Sequence, residues 1–484
     1  MASNLLKNQH LMWRAGFGPA ASQLFQLNTL APSELFGALK KASSKKPGYI
    51  DVADDYLKGL FMGADEIVRQ QRNDADKKRI RQQNREDLKS LNLYWLDEMV
   101  NSDAQLREKM AFFWHGHFAC RNINIFYQQQ LLHIIRQHAL GSFRDLLHAV
   151  STSAGILNFL NAAQNKKGHP NENFAREVME LFTLGRGNYS EDDVKEAARA
   201  FTGWGANVSG DFVFRKFQHD SGSKTLLGKT GNFYGEDVLD ILLDQPQTAF
   251  FITRKIYSFF VNDNIDKEKV QWLSTRFYKN DYNIGLLLQD IFSSDWFFEE
   301  QNIGVKIKSP IELLVGIRRM LPMQIENSEV QLVLQRLLGQ LLFYPPNVAG
   351  WPGGKAWIDS SSLMMRLRLP MLINDRDELN VQPKTDDDQM MGMEDKSERK
   401  SDQAKKAMKT VRPINAAIEW DTFSTKFDGV SKDQLLPTIT RTLLQTPIQL
   451  PENVLKEAID DSSRENFIRT AALHIMSLPE YQMC

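Results

Sequence analysis

One stretch of this 484-residue chain carries a convincing β signature: Phe212-Val213-Phe214-Arg215-Lys216-Phe217, closed by Asp220-Ser221-Gly222. Elsewhere apolar residues recur at helical spacing. One short β element cannot build a major sheet. The pattern therefore predicts a mainly α protein, a large multi-helix single domain with a small β-hairpin or ribbon. Several helix starts are marked chemically. Ser33 follows Pro32 and opens a helix to Ala42, and Ser190 precedes Glu191, Asp192 and Asp193, acids suited to a first turn. A long helix is expected from Asp65 to Val100, solvated in its first half and buried in its second through Leu91, Tyr94, Trp95, Leu96 and Met99. Leu106 to Cys120 continues the helical pattern. Residues 384–412 are rich in charge and read as a flexible insertion. They divide a main body, 1–383, from a C-terminal helical part of the same domain, 413–484.

Composition narrows the function classes. Hydrophobic residues make up 42% and charged residues 25%, a globular balance. The net charge of -1 gives no broad attraction to nucleic acid or an anionic membrane, which leaves only a local patch for either. No run of about twenty apolar residues exists, so no membrane span is expected. The N-terminal residues lack the apolar core and small-residue cleavage site of a secretory leader, so the sequence as given reads cytoplasmic. Two cysteines cannot make a disulfide framework. Cys120 reads as a buried thiol, and Cys484 is expected to fray.

The densest polar constellation is Asn171-Glu172-Asn173-Phe174-Ala175-Arg176-Glu177-Val178-Met179-Glu180-Leu181-Phe182-Thr183-Leu184-Gly185, about four helical turns that stop at a glycine. Glu177 and Glu180, three apart, share a helix face, and Arg176 reaches Glu180 or Glu172 at four residues. Two carboxylates on one face suit metal ligation or acid–base work. The competing reading is an amphipathic helix that buries Phe174, Val178, Leu181 and Phe182 and leaves its charges in water. His115 and His117, in Phe113-Trp114-His115-Gly116-His117-Phe118, are potential metal ligands. On a helix the two diverge by about 200°, so a shared ion needs the helix to end there. His219-Asp220 closes the β stretch, where loop residues can carry chemistry or merely close a turn. No His-Glu-x-x-His, phosphate loop or dinucleotide fingerprint occurs. In Pro345-Pro346-Asn347-Val348-Ala349-Gly350-Trp351-Pro352-Gly353-Gly354, Trp351 and Trp357 either anchor a buried corner or wall a pocket. In the pocket reading, Asn347 and Ser360-Ser361-Ser362 supply hydrogen bonds.

These three blocks, with His10-Leu11-Met12-Trp13-Arg14-Ala15-Gly16-Phe17-Gly18 at the start and Leu478-Pro479-Glu480-Tyr481-Gln482 at the end, resemble the bacterial family called domain of unknown function 1800. The likeness covers nearly the whole chain. It implies a shared architecture but no settled activity. Many relatives have a histidine where this chain has Phe182, so a metal site using it would be weakened here. Many carry export signals, which keeps an exported or periplasmic site of action open. Members often occur beside domain of unknown function 1501, a family similar to alkaline phosphatases and sulfatases.

Two functional expectations follow. The first is a metal-dependent enzyme, in its least specific form a hydrolase. Glu177, Glu180, Arg176 and Asp220 would be catalytic, and Asn171, Asn173 and Trp351 would bind substrate. His115, His117 and His219 would hold Mn, Fe or Zn. The second is a non-catalytic partner or maturation factor of a sulfatase- or phosphatase-like neighbour. Convergence of the ionisable groups in one cleft favours the first, and separate pairing favours the second.

Overall fold

The computed structural model describes residues 3–62, 73–207, 209–375 and 414–484. The charged insertion, 384–412, and the expected helical start at Asp65 lie outside them. The described residues are mainly helical, with three two-stranded antiparallel sheets. One continuous apolar core runs from Leu11 to Tyr481.

The central element is the helix Gln105–His117, whose residues are all buried except Gly116. Its charges survive burial because each is paired. Glu108 accepts from the Trp95 indole at 3.0 Å and from Arg136 at 2.9 Å, and Lys109 pairs with Glu312. The long helix Asp74–Asn101 packs beside it through Leu88, Leu91, Trp95, Leu96 and Met99. Its exposed first half matches expectation. Tyr94, expected inside, is 61% exposed, because it falls between the buried positions 91, 92, 95 and 96.

Cap chemistry sets several boundaries. Ser190 accepts from Asp193 N–H and Asp193 returns to Ser190 N–H, starting the helix Glu191–Ala200. The helix expected from Ser33 begins one residue earlier, at Pro32, whose missing N–H costs nothing in a first turn. In the helix Pro310–Met320 ten of the eleven residues are buried, Glu312 and Arg319 among them. Its Glu312 pairs with Lys109 and its Arg319 donates to the Gly18 and Val100 carbonyls, so charged positions are buried with partners.

The β stretch is shorter than expected. Phe212–Phe214 pairs with Trp204–Ala206, but Lys216–Gln218 forms a 3-10 turn. Arg215 N–H bonds to Gly203 O at 2.8 Å and Gln218 N–H to Arg215 O at 2.8 Å, so the chain curls after Phe214. A further hairpin, Lys224–Leu226 with Lys229–Gly231, and a long-range antiparallel pair, Met323–Ile325 with Ala416–Ile418, were not anticipated. Three-residue strands leave little alternation to read.

Cys484 does not fray. It is 3% exposed, exchanges backbone hydrogen bonds with Lys306 at 2.8 and 3.1 Å, and its carbonyl accepts from Arg14 at 2.8 Å.

Candidate functional site

The three distinctive sequence blocks meet at the C-terminal end of Gln105–His117. Because the helix continues through His117, the two imidazoles leave it in different directions. His115 faces the Pro345–Gly354 side. Its ring lies 5.1 Å from Trp95, 5.0 Å from Phe343 and 5.7 Å from Trp351. Its Nε2 accepts the Phe343 N–H at 3.2 Å, so any proton of the neutral ring is on Nδ1. Burial in this aromatic surround lowers its pKa to about 3. At Gly350, φ is +80°, and a Cβ there would stand 2.4 Å from the Gly116 carbonyl oxygen. Only glycine lets these two blocks touch.

His117 faces the Asn171–Gly185 block. Its Nε2 lies 3.3 Å from Phe182 O and its Nδ1 lies 3.1 Å from Lys255 Nζ. A carbonyl can only accept, so Nε2 carries the proton and Nδ1 receives the amine's hydrogen. Burial, with the charge of Lys255, pushes the His117 pKa well down, and burial lowers that of Lys255 to about 8. Lys255 comes from the helix Pro246–Phe260 and was not singled out from sequence. It sits beside Arg254 in an otherwise uncharged helix, and the sequence does not mark which of the two cations turns inward.

The acidic block is an α-helix, Asn173–Glu177, that widens into a π-helix, Val178–Thr183. Leu184 N–H reaches Met179 O at 2.9 Å, and Thr183 Oγ1 donates to Val178 O at 2.7 Å. The run ends at Gly185, where φ is +82° and Phe251 leaves no room for a Cβ. Such π segments recur at functional sites. Arg176 does not pair with Glu180. It forks onto Glu191 at 2.7 and 2.9 Å and reaches Glu172 at 3.0 Å. Glu180 accepts from the Tyr189 hydroxyl at 2.6 Å and from Arg186 at 2.9 Å, which lowers its pKa. Glu177 is half-buried and has no hydrogen-bond or ion-pair partner among the described residues. Burial, then the field of Glu180, raises its pKa. Two neighbouring carboxyls are thus pushed in opposite directions. Asn173 caps local backbone, donating to Leu160 O at 3.1 Å, and Asn171 Oδ1 accepts the Asn173 N–H at 3.0 Å.

His219 and Asp220 belong to a separate cluster. Arg199 grips Asp220 through Nε at 2.8 Å and Nη2 at 3.3 Å, which with the Gly222 N–H lowers the carboxyl pKa to about 2. His219 stacks on Tyr234 at 4.5 Å, and its Nδ1 lies 3.0 Å from Thr202 O. Its Nε2 is buried and meets no hydrogen-bond partner among the described residues.

The expected metal set therefore does not gather. Of its three members, His115 spends Nε2 on a backbone amide, His117 spends both nitrogens, and His219 stands apart in the Arg199–Asp220 cluster with its Nδ1 on Thr202 O. No group of three His, Cys, Asp or Glu side chains suited to a metal occurs among the described residues. The turn around the partly buried Trp351 is held by local hydrogen bonds. Asn347 Oδ1 accepts Ala349 N–H at 2.9 Å, Asp359 caps the helix Ser360–Asn374 through the Ser361 and Ser362 amides, and Trp357 is buried. A cavity of about 290 Å³ lies elsewhere, lined by Leu436, Pro437, Thr440, Ile448, Leu450 and Leu455, none of them titratable.

The fold and its core define a large helical protein in which Arg176, Glu180 and Asp220 are tied in separate local pairs around a buried aromatic junction. The chain belongs to the family described as protein of unknown function DUF1800, whose model matches residues 10–483. No curated protein and no solved structure matches it. No helix among the described residues is long and apolar enough to cross a membrane.

Proposed function

We propose that this chain is a binding protein, a partner or maturation factor for a sulfatase- or phosphatase-like protein. The observation that carries this reading is separate pairing. Arg176 is taken by Glu172 and Glu191, Glu180 by Tyr189 and Arg186, and Asp220 by Arg199. Groups engaged in this way shape a surface and are poorly placed to share one substrate. Co-expression with a sulfatase-like protein of the proposed partner family tests it. A stable complex, and a higher yield of folded partner, is the expected result. Unchanged partner yield and separate elution would count against it.

A second reading rests on Glu177 and Glu180. Their pKa values are moved apart, one up by burial and one down by Tyr189 and Arg186, which is how one site assigns an acid and a base. In that reading Glu177 is the general acid of a hydrolase. Glu177→Gln would then abolish turnover of a hydrolysable substrate while leaving the fold intact.

A further inference from the structure

Two turns outside the junction form a tip of unusual composition. The first is Lys166-Lys167-Gly168-His169, closed by a bridge between Lys166 and His169, with φ of +83° at Gly168. Asn165 holds its base: its Oδ1 accepts Asn171 N–H at 3.0 Å and its Nδ2 donates to Ala198 O at 2.8 Å. The second is the 3-10 turn Lys216–Gln218. Lys167 N–H bonds to Gln218 O at 2.7 Å and locks the two turns side by side. Phe217, at the apex of the second turn, is 82% exposed.

Lys166, Lys167 and Lys216 are exposed, and none has an ion-pair partner among the described residues. The acids nearest in sequence are already engaged, Asp220 by Arg199 and Glu172 by Arg176. A chain of net charge -1 thus concentrates free positive charge around one protruding ring.

We propose that this tip docks the protein on an anionic lipid surface, with Phe217 entering the interfacial layer and the three lysines meeting lipid phosphates. An aromatic ring at headgroup depth among cations is the usual chemistry of such contacts. A single-stranded nucleic acid would want a row of free rings. Here Phe214 and Tyr234 already pack on His219, at 5.3 and 4.5 Å.

The test is co-sedimentation of the full chain with phosphatidylcholine vesicles, and with vesicles containing about one-third phosphatidylglycerol, at low ionic strength. Binding to the anionic vesicles alone is expected, weakening with salt. Lys166→Glu/Lys167→Glu/Lys216→Glu should weaken it at least about a hundredfold, and Phe217→Ser severalfold. All four residues are exposed, so unchanged melting curves are expected. Because both native cysteines are buried, Phe217→Cys can carry an environment-sensitive dye whose emission should shift to the blue on anionic vesicles. Absence of wild-type binding, full binding by the charge-reversed variant, or an unshifted dye overturns the proposal. So does retention of single-stranded DNA by the same lysines without vesicle binding.

Discussion

The ε-amine of Lys255 donates to Nδ1 of His117 across 3.1 Å, and it reaches that ring from a helix 138 residues away in sequence. The imidazole is thereby fixed between the amine and the Phe182 carbonyl of the π-helix. This contact joins the Phe113–Phe118 block to the Asn171–Gly185 block through a side chain that belongs to neither.

Burial depresses the Lys255 pKa from its ordinary 10.5 to about 8. The unfolded chain then binds more protons than the folded one between about pH 8 and 10.5, so this group's contribution to stability rises across that window and falls as pH drops through it. Lys255→Met should remove that rise. Denaturant unfolding of both proteins across the alkaline range checks it: the variant's stability should be flatter relative to wild type. Parallel curves would show an amine with an ordinary pKa.

Gly350 is expected to be far less tolerant than Gly339. Both have positive φ, +80° and +87°. A Cβ at Gly350 meets the Gly116 carbonyl at 2.4 Å, whereas nothing lies within 4 Å of one at Gly339. Gly350→Ala should cost about 2–4 kcal/mol and Gly339→Ala about 1 kcal/mol, read from urea midpoints. Equal costs would mean that the two blocks do not touch closely.

Glu177→Gln should stabilise slightly. Its pKa is raised by burial and by Glu180, so the ionised form carries a penalty that appears as pH rises through the folded pKa and is absent below the unfolded one. The gain should be on the order of 0.5 kcal/mol at neutral pH, since the group is only half-buried, and should vanish in acid. Loss of stability at neutral pH would reveal a partner for the carboxylate.

Tyr189→Phe removes the 2.6 Å hydroxyl donor from Glu180. A cost of about 1–2 kcal/mol is expected, for a hydrogen bond to a charged acceptor that stays partly solvated. An accompanying rise in the Glu180 pKa, followed by carboxyl NMR, would show that Tyr189 sets it. An unmoved Glu180 would assign the shift to Arg186.

Much of the helical scaffold was legible because caps and amphipathic stripes are local. Ser190 with three acids, and the half-solvated helix ending at Asn101, are examples. Pro310–Met320 was not, because its Glu312 and Arg319 are buried against partners that distant segments supply. Among site residues, the divergence of His115 and His117 followed from helix geometry alone. The partners did not. Arg176 chooses Glu191 over Glu180 because the next helix start brings that acid alongside, and Glu180 finds Tyr189 and Arg186 in the returning loop. Such competition depends on tertiary neighbours. The π-helix likewise depends on packing around Thr183 and Gly185, where residue spacing is silent.

Calorimetric titration of the purified chain with a sulfatase- or phosphatase-like protein of the kind proposed as its partner tests the binding role most directly. A saturable heat with a defined stoichiometry, retained in Glu177→Gln, is the predicted result. No heat with that protein, together with hydrolytic turnover that disappears in Glu177→Gln, would contradict it and establish the acid–base reading instead.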